Sequence, residues 1–323
     1  MRTRERERGR TGERETRRRS PSLLVSLSPR LLVSKSPVLL LLPALAVIVL
    51  LFGGGLLMAL MQSAGYVPAI GRTELSLAAY QQVLADPAFG RSLLLTMWIA
   101  GVSTAVSTLL ALIAALTLRR AFRGKRVATF IFQSNLPIPH LVGAIAILFL
   151  FAQSGFLARL GHALGLIQVP ADFPALVFDP YAIGIILEYV WKSSVFMGII
   201  LLAAMQTIGE DYEQTAQTLG ANQWQRWRFV LLPLLRPSIL SASILVFAFT
   251  FGAFEVPLLL GARYPSALPV LAYRLYTDVD LNARPEAMAL SIIIAALITG
   301  LILVYMQLSK KSGRAGDGES GRT

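Results

Sequence analysis

Residues able to do covalent or redox chemistry are nearly absent from this chain. It has no Cys and only two His, His140 and His162. Disulfides, zinc–thiolate sites, iron–sulfur clusters and thiol catalysis are therefore excluded. Neither His falls in an HExxH pattern, and no GxxxxGK[ST] phosphate loop occurs. The expectation is no catalytic residue, no metal site, no cofactor, and no ATP hydrolysis by this chain alone. What remains is a few polar residues in apolar surroundings: Asn135, His140, Glu188, Lys192 and Glu255. Such groups are expensive inside a membrane, and they mark solute paths or helix contacts. Glu188 and Lys192 are four apart with Glu first, the favourable order on a helix. They are expected to pair with each other, with substrate contact as the other reading. His140 follows Pro139 and is expected at an interface rather than on a metal. Glu255 lies in FTFGAFEVPLLLG, flanked by Gly252 and Pro257. A helix interrupted there would expose backbone and a carboxylate to a cavity, a setting for a cationic solute. Asn135 is a second candidate for the solute path.

The most patterned polar stretch is 207–237, TIGEDYEQTAQTLGANQWQRWRFVLLPLLRP. Glu210, Asp211 and Glu213 place negative charge on a first helical turn, where the helix dipole favours it. Gly220 suits the left-handed residue that ends a helix. Asn222 with Gln225 three residues on has the form of a capping box that starts a second helix. Trp224, Trp227 and Leu231 follow on one face, and Pro233 and Pro237 are expected to break the helix. The pattern predicts two short helices meeting at a tight corner.

The elements that carry these residues follow from the charge map. Apolar residues make up 55% of the 323, charged residues only 15%, and the mean hydropathy is +0.62. A soluble domain carries about 25% charged residues. Residues 36–71, 92–118, 127–158 and 287–309 hold no Asp, Glu, Lys or Arg. A membrane-spanning helix needs roughly 20 apolar residues. With two spans that carry some charge, the chain is predicted to be an all-α polytopic membrane protein. The expected spans are 38–61, 92–117, 129–153, 181–206, 238–261 and 287–308. With the N-terminus inside, inner segments carry 23 Lys and Arg against 6 in outer ones. The positive-inside rule then puts both termini in the cytoplasm. Residues 74–85 have the apolar spacing of a short amphipathic helix along the outer surface.

Three regions are expected. Residues 1–36 are a basic, low-complexity extension, read as disordered from composition. An eight-residue repeat, SPSLLVSL, SPRLLVSK, SPVLLLLP, begins at Ser20. It is a functional extension, a neutral one, or translation begun too far upstream. Residues 37–309 are the six-span domain, and 310–323 a polar cytoplasmic tail.

The stretch from Glu213 to Ala221, EQTAQTLGA, with Leu232-Pro233 twelve and thirteen residues past Gly220, resembles a cytoplasmic loop motif. It is the loop of the membrane subunits of binding-protein-dependent ABC importers. The family pattern is approximately E-A-A-x-x-x-G-A followed by L-P. Its last Glu falls six residues before the Gly, a place held here by Gln214, with Glu213 one residue earlier. Thr215 stands where Ala is usual, and Ala216 matches. The resemblance implies a bacterial inner-membrane permease whose loop forms a coupling helix docked on a separate ATPase. Glu213, Gln214, Ala216, Gly220, Ala221 and Pro233 would make or shape that contact. It also implies the partners: a pair of ATPase subunits, a second identical or homologous permease subunit, an extracytoplasmic solute-binding protein and the lipid bilayer, with no nucleic acid. FGAFEVPLLLG and YPSALPVLAY look like the spermidine/putrescine type, which implies polyamines or another small cation. Two other readings stand beside this one. An ATP-independent transporter or channel also fits six spans but gives no reason for the 207–237 spacing. A membrane enzyme lacks a suitable cluster of groups.

Overall fold

The computed structural model of the chain describes residues 37–209 and 211–317, with side chains from 41 to 307 apart from residue 210. The 1–36 extension and the last residues of the tail lie outside the described residues, as does Glu210. Among the described residues, six helical stretches are long and apolar enough to cross a membrane: Leu41–Ser63, Pro87–Leu118, His140–Ala163, Ile183–Ile208, Gln223–Gly252 and Leu281–Gln307. In lipid every backbone polar group must be satisfied within the protein, so helices are the expected outcome for such runs.

The chain falls into two compact units, one ending at Gly55 and one beginning at Leu56. In the first, α1 (Pro37–Val47) passes into a π-helical turn at Ile48–Gly53. Its apolar side chains from Val47 to Phe52 are exposed. Helix α2 spans Gly54–Ser63. In the second unit, α3 (Ala78–Ala85) leads into α4 (Pro87–Leu118). The amphipathic segment is shorter than its sequence pattern, because the Ser76 hydroxyl accepts from the Ala78 amide and holds the entry in a turn. Asp86 caps α4 through the Ala88 amide, and Pro87 occupies its first turn.

Helices α5 (Lys125–Gln133), α6 (His140–Phe151) and α7 (Phe156–Ala163) precede α8 (Ile183–Ile208). The single third span expected from 129 to 153 is therefore broken between 134 and 139. Pro137 and Pro139 lack the amide a continuing helix needs, and each restricts the residue before it. Helices α4 and α8 form the centre of the bundle. Ala100, Ser103, Ser107, Ala111 and Ala115 recur every three or four residues on α4 and are fully buried. Such small residues let helices approach closely where no hydrophobic driving force separates helix from lipid. Ala111 and Ala115 pack with Met197, Leu201 and Met205 of α8 and with Leu235 and Ala242.

Helices α9 (Asp211–Thr218) and α10 (Gln223–Arg226) follow, then α11 (Leu232–Gly252). The break expected at Pro233 and Pro237 does not occur. A π-helical turn at Trp227–Leu231 joins α10 to α11 with helical backbone throughout. The widened turn changes the hydrogen-bond register just ahead of Pro233, so the ring removes no bond from a regular ladder. Pro237 lies inside α11. The helix stops instead after Gly252, and α12 (Glu255–Leu260) begins. Helix α13 (Leu268–Tyr276) precedes α14 (Arg284–Asp317), which runs on past residue 309.

Candidate functional site

Two polar regions stand out, one at an end of the bundle and one inside it. The first is the corner between α9 and α10. Gly220 has φ +85 and supplies the left-handed residue expected there. The Ala221 amide donates to the Ala216 carbonyl at 3.0 Å and the Gly220 amide to Gln217 at 3.0 Å. This is the paired arrangement that satisfies a helix's last carbonyls. Asn222 accepts from the Gln225 amide at 2.9 Å while Gln225 Oε1 accepts from the Asn222 amide at 2.8 Å. The predicted capping box is present, and the turn is fixed from both sides.

The corner presents apolar side chains to the outside. Leu219 is 83% exposed, Phe229 68%, Trp224 64% and Tyr212 58%. Trp224 is kept upright by stacking on Trp227, ring centroids 4.9 Å apart. Gln214, Gly220 and Pro233 are also exposed, whereas Ala216 and Ala221 are half-buried. Glu213 differs from its neighbours. Both of its carboxylate oxygens accept from the Arg119 guanidinium at the end of α4. That hydrogen bonding holds its carboxyl below the usual carboxylate range, against the opposing effect of burial and with help from the charges of Arg119, Arg226 and Arg120.

The second region lies where the break in the third span faces α8. Glu188 is fully buried and accepts from or pairs with His140 Nδ1 at 3.0 Å. Lys192 does not pair with it directly. Its ammonium donates to the Asn135 carbonyl at 2.8 Å and to the Ile138 carbonyl. This corrects the expected Glu188–Lys192 pair. The break leaves carbonyls without helical partners, and in a water-poor interior the nearest cation is drawn to them. Gly143 allows the alternative partner to reach Glu188: a Cβ there would lie 3.1 Å from Glu188 Oε1 and from the Trp191 ring. His140, itself 28% exposed, is the partner of this buried carboxylate. Asn135 is 5% exposed and donates from Nδ2 to the Trp191 carbonyl at 2.7 Å, so it too serves the bend.

Beside this cluster is a cavity of about 530 Å³, lined by His140, Lys192, Ser193, Phe196, Val246 and Phe249 among others. Glu255 opens α12 just after the helix interruption, with an exposed side chain. The interruption expected between Gly252 and Pro257 is thus present. No group of three or more metal-ligating side chains occurs among the described residues. His140 as a partner for Glu188 was missed in the sequence; the Pro137-x-Pro139 spacing ahead of it was the available signal.

Residues 107–311 match the family described as binding-protein-dependent transport system inner membrane component. The molybdenum transport system permease protein ModB of Mycobacterium tuberculosis is 31% identical over 220 residues, covering 67% of this chain and 79% of the relative. The thiamine transport system permease protein ThiP of Escherichia coli is 31% identical over 218 residues, 67% of this chain and 39% of the relative. A bacterial ABC transporter involved in the import of the acidic polysaccharide alginate has the same fold. Its chain superposes with a TM-score of 0.71 at 19% identity, covering 84% of this chain and 94% of that one.

Proposed function

Since the chain belongs to the family of inner membrane components of binding-protein-dependent transport systems, and is the permease subunit of an ABC importer, we propose that its α9–α10 corner is the element through which a separate ATPase drives transport. One observation carries the reading. The corner is rigid at Gly220 and continues without interruption from Gln223 through the π-helical turn to Gly252. A push on Leu219 or Trp224 therefore acts on the end of a transmembrane helix. A two-state bundle needs such a stiff element to receive work, since a flexible loop would dissipate it. The exposed Leu219, Trp224 and Phe229 supply the apolar contact for a groove on the ATPase, with Gln214 alongside.

The assembly then comprises two ATPase subunits, a second permease subunit and an extracytoplasmic solute-binding protein. Orientation follows the basic residues, which puts the corner and both termini in the cytoplasm. The solute is a small cation, polyamines included. Glu255 supports this, because an exposed carboxylate at an interrupted helix attracts positive charge. Uptake of radiolabelled cations and of molybdate by Glu255→Gln cells tests it; loss confined to cations is expected, and undiminished cation uptake removes the assignment.

The coupling reading is tested with Gly220→Leu. A side chain at φ +85 is strained whatever space surrounds it. The variant should still co-purify with the ATPase yet hydrolyse ATP without transport. Unchanged transport would overturn the reading.

A further inference from the structure

We infer that Glu213 acts within the chain and not on the ATPase: its pairing with Arg119 ties the coupling corner to α4, so that the ATPase stroke enters the bundle through α4 as well as through α11. This rests on the coupling role proposed above and adds to it a second route for the force.

The first argument is geometric. Successive residues on a helix point about 100° apart. Glu213 and Gln214 thus point to different sides of α9. The exposed Gln214 faces outward, while the Glu213 side chain is only 14% exposed and turned onto Arg119. Arg119 donates from two nitrogens to two oxygens, Nη2 to Oε2 at 2.8 Å. A planar two-point contact fixes orientation as well as distance.

The second argument is mechanical. Helix α9 is joined to α8 through Gly209, at φ +75 and ψ −177. That backbone region is essentially restricted to glycine. Its other end turns at Gly220. Side chains add to the hold that the Gly220 turn gives α9. Gln217 accepts from Arg226 at 2.9 Å and so binds α9 to α10. Glu213 binds it to α4. Arg119 is the C-terminal cap of α4, its amide bonded to the Ala115 carbonyl. A displacement of Glu213 is thereby applied to the end of a helix whose Ala111 and Ala115 are locked against Met197, Leu201 and Met205 of α8.

The third argument is the charge around the tie. A cavity of about 690 Å³ at the corner is lined, among the described residues, by Arg119, Arg120, Lys125 and Arg226 together with the Glu213 carboxylate. Glu213 is therefore a positioning residue that also balances this cationic cavity.

The test uses the full importer in proteoliposomes. Leu219→Cys is crosslinked to the ATPase first; failure to crosslink would sink the coupling reading itself, independently of Glu213. With that established, Glu213→Gln should assemble, hydrolyse ATP and transport about tenfold less solute per ATP, the order expected from losing one charge-assisted pair. The Cys-free sequence permits a sharper step. The Arg119→Cys and Glu213→Cys double variant should be uncoupled, and joining the two thiols with a short bifunctional reagent should restore transport per ATP. A role confined to stability would lower the melting temperature of Glu213→Gln in step with the loss of transport, so that temperature is measured on the same variants before and after crosslinking. Wild-type coupling in Glu213→Gln, or no recovery on crosslinking, would overturn the inference.

Discussion

The corner at Gly220 and the break at residues 134–139 are both places where a helix stops and a carboxylate finds a side-chain partner far along the chain, yet the two are built differently. At the corner, the positive-φ Gly220 ends the helix and neighbouring residues cap the spare backbone groups. Glu213 and Arg119 retain some exposure. In the bundle, two prolines make the break, and the freed carbonyls are met by the ammonium of Lys192 while Glu188, fully buried, takes His140. The difference teaches how solvent sets the role of an ion pair. Near water a pair keeps its geometry but stays open to salt and pH. In lipid-like surroundings the same charges are a clamp, since separating them leaves bare groups with nothing to replace the partner.

The comparison can be broken most directly at Lys192. Lys192→Met removes the donor from two carbonyls, at about 1–3 kcal/mol for each buried group left unsatisfied. A large fall in the melting temperature of the detergent-solubilised protein is expected, where Glu213→Gln should move it little. Equal effects would mean that the buried site is no clamp. A smaller effect separates the two pairs by salt. Raising ionic strength to about 1 M shortens the screening length to about 3 Å. Hydrogen exchange should quicken in α9 and stay unchanged around Glu188.

The finest distinction is in pH. Pairing with Arg119 depresses the folded-state value of the Glu213 carboxyl. Its contribution is therefore present above the ordinary glutamate value of about 4.3 and is lost as pH falls through the lower, folded value. Exchange in α9 should accordingly stay protected below that ordinary value and rise only in more acidic buffer. In Arg119→Gln the rise should shift upward toward the ordinary range.

Much of this could be read from residue order. Four charge-free runs gave the membrane class, though the third and fifth spans lie eleven to fifteen residues from where they were expected to start, and Gly220, Asn222 and Gln225 placed the corner to the residue. Capping and turn chemistry act between neighbours, so they are visible in a linear pattern. The prolines were the instructive failure. Pro233 and Pro237 were expected to end a helix and do not, because a π-helical turn ahead of them absorbs the irregularity. Pro137 and Pro139, early in the expected third span, make the break around which the buried cluster is organised. A proline states that an amide is missing; it does not state how the surroundings will compensate.

Sequence alone determined the membrane class, the six spans and the helix–Gly–helix corner, because bilayer thickness, backbone satisfaction and capping are constraints on consecutive residues. Tertiary structure alone decided the partners. Glu188 chose His140, Lys192 chose the carbonyls of Asn135 and Ile138, and Glu213 chose Arg119, across separations of 48 to 94 residues. Spacing along one helix favoured a Glu188–Lys192 pair by a few tenths of a kcal/mol. The cost of leaving carbonyls bare inside the bundle is several times larger, and that imbalance exists only once the helices have packed.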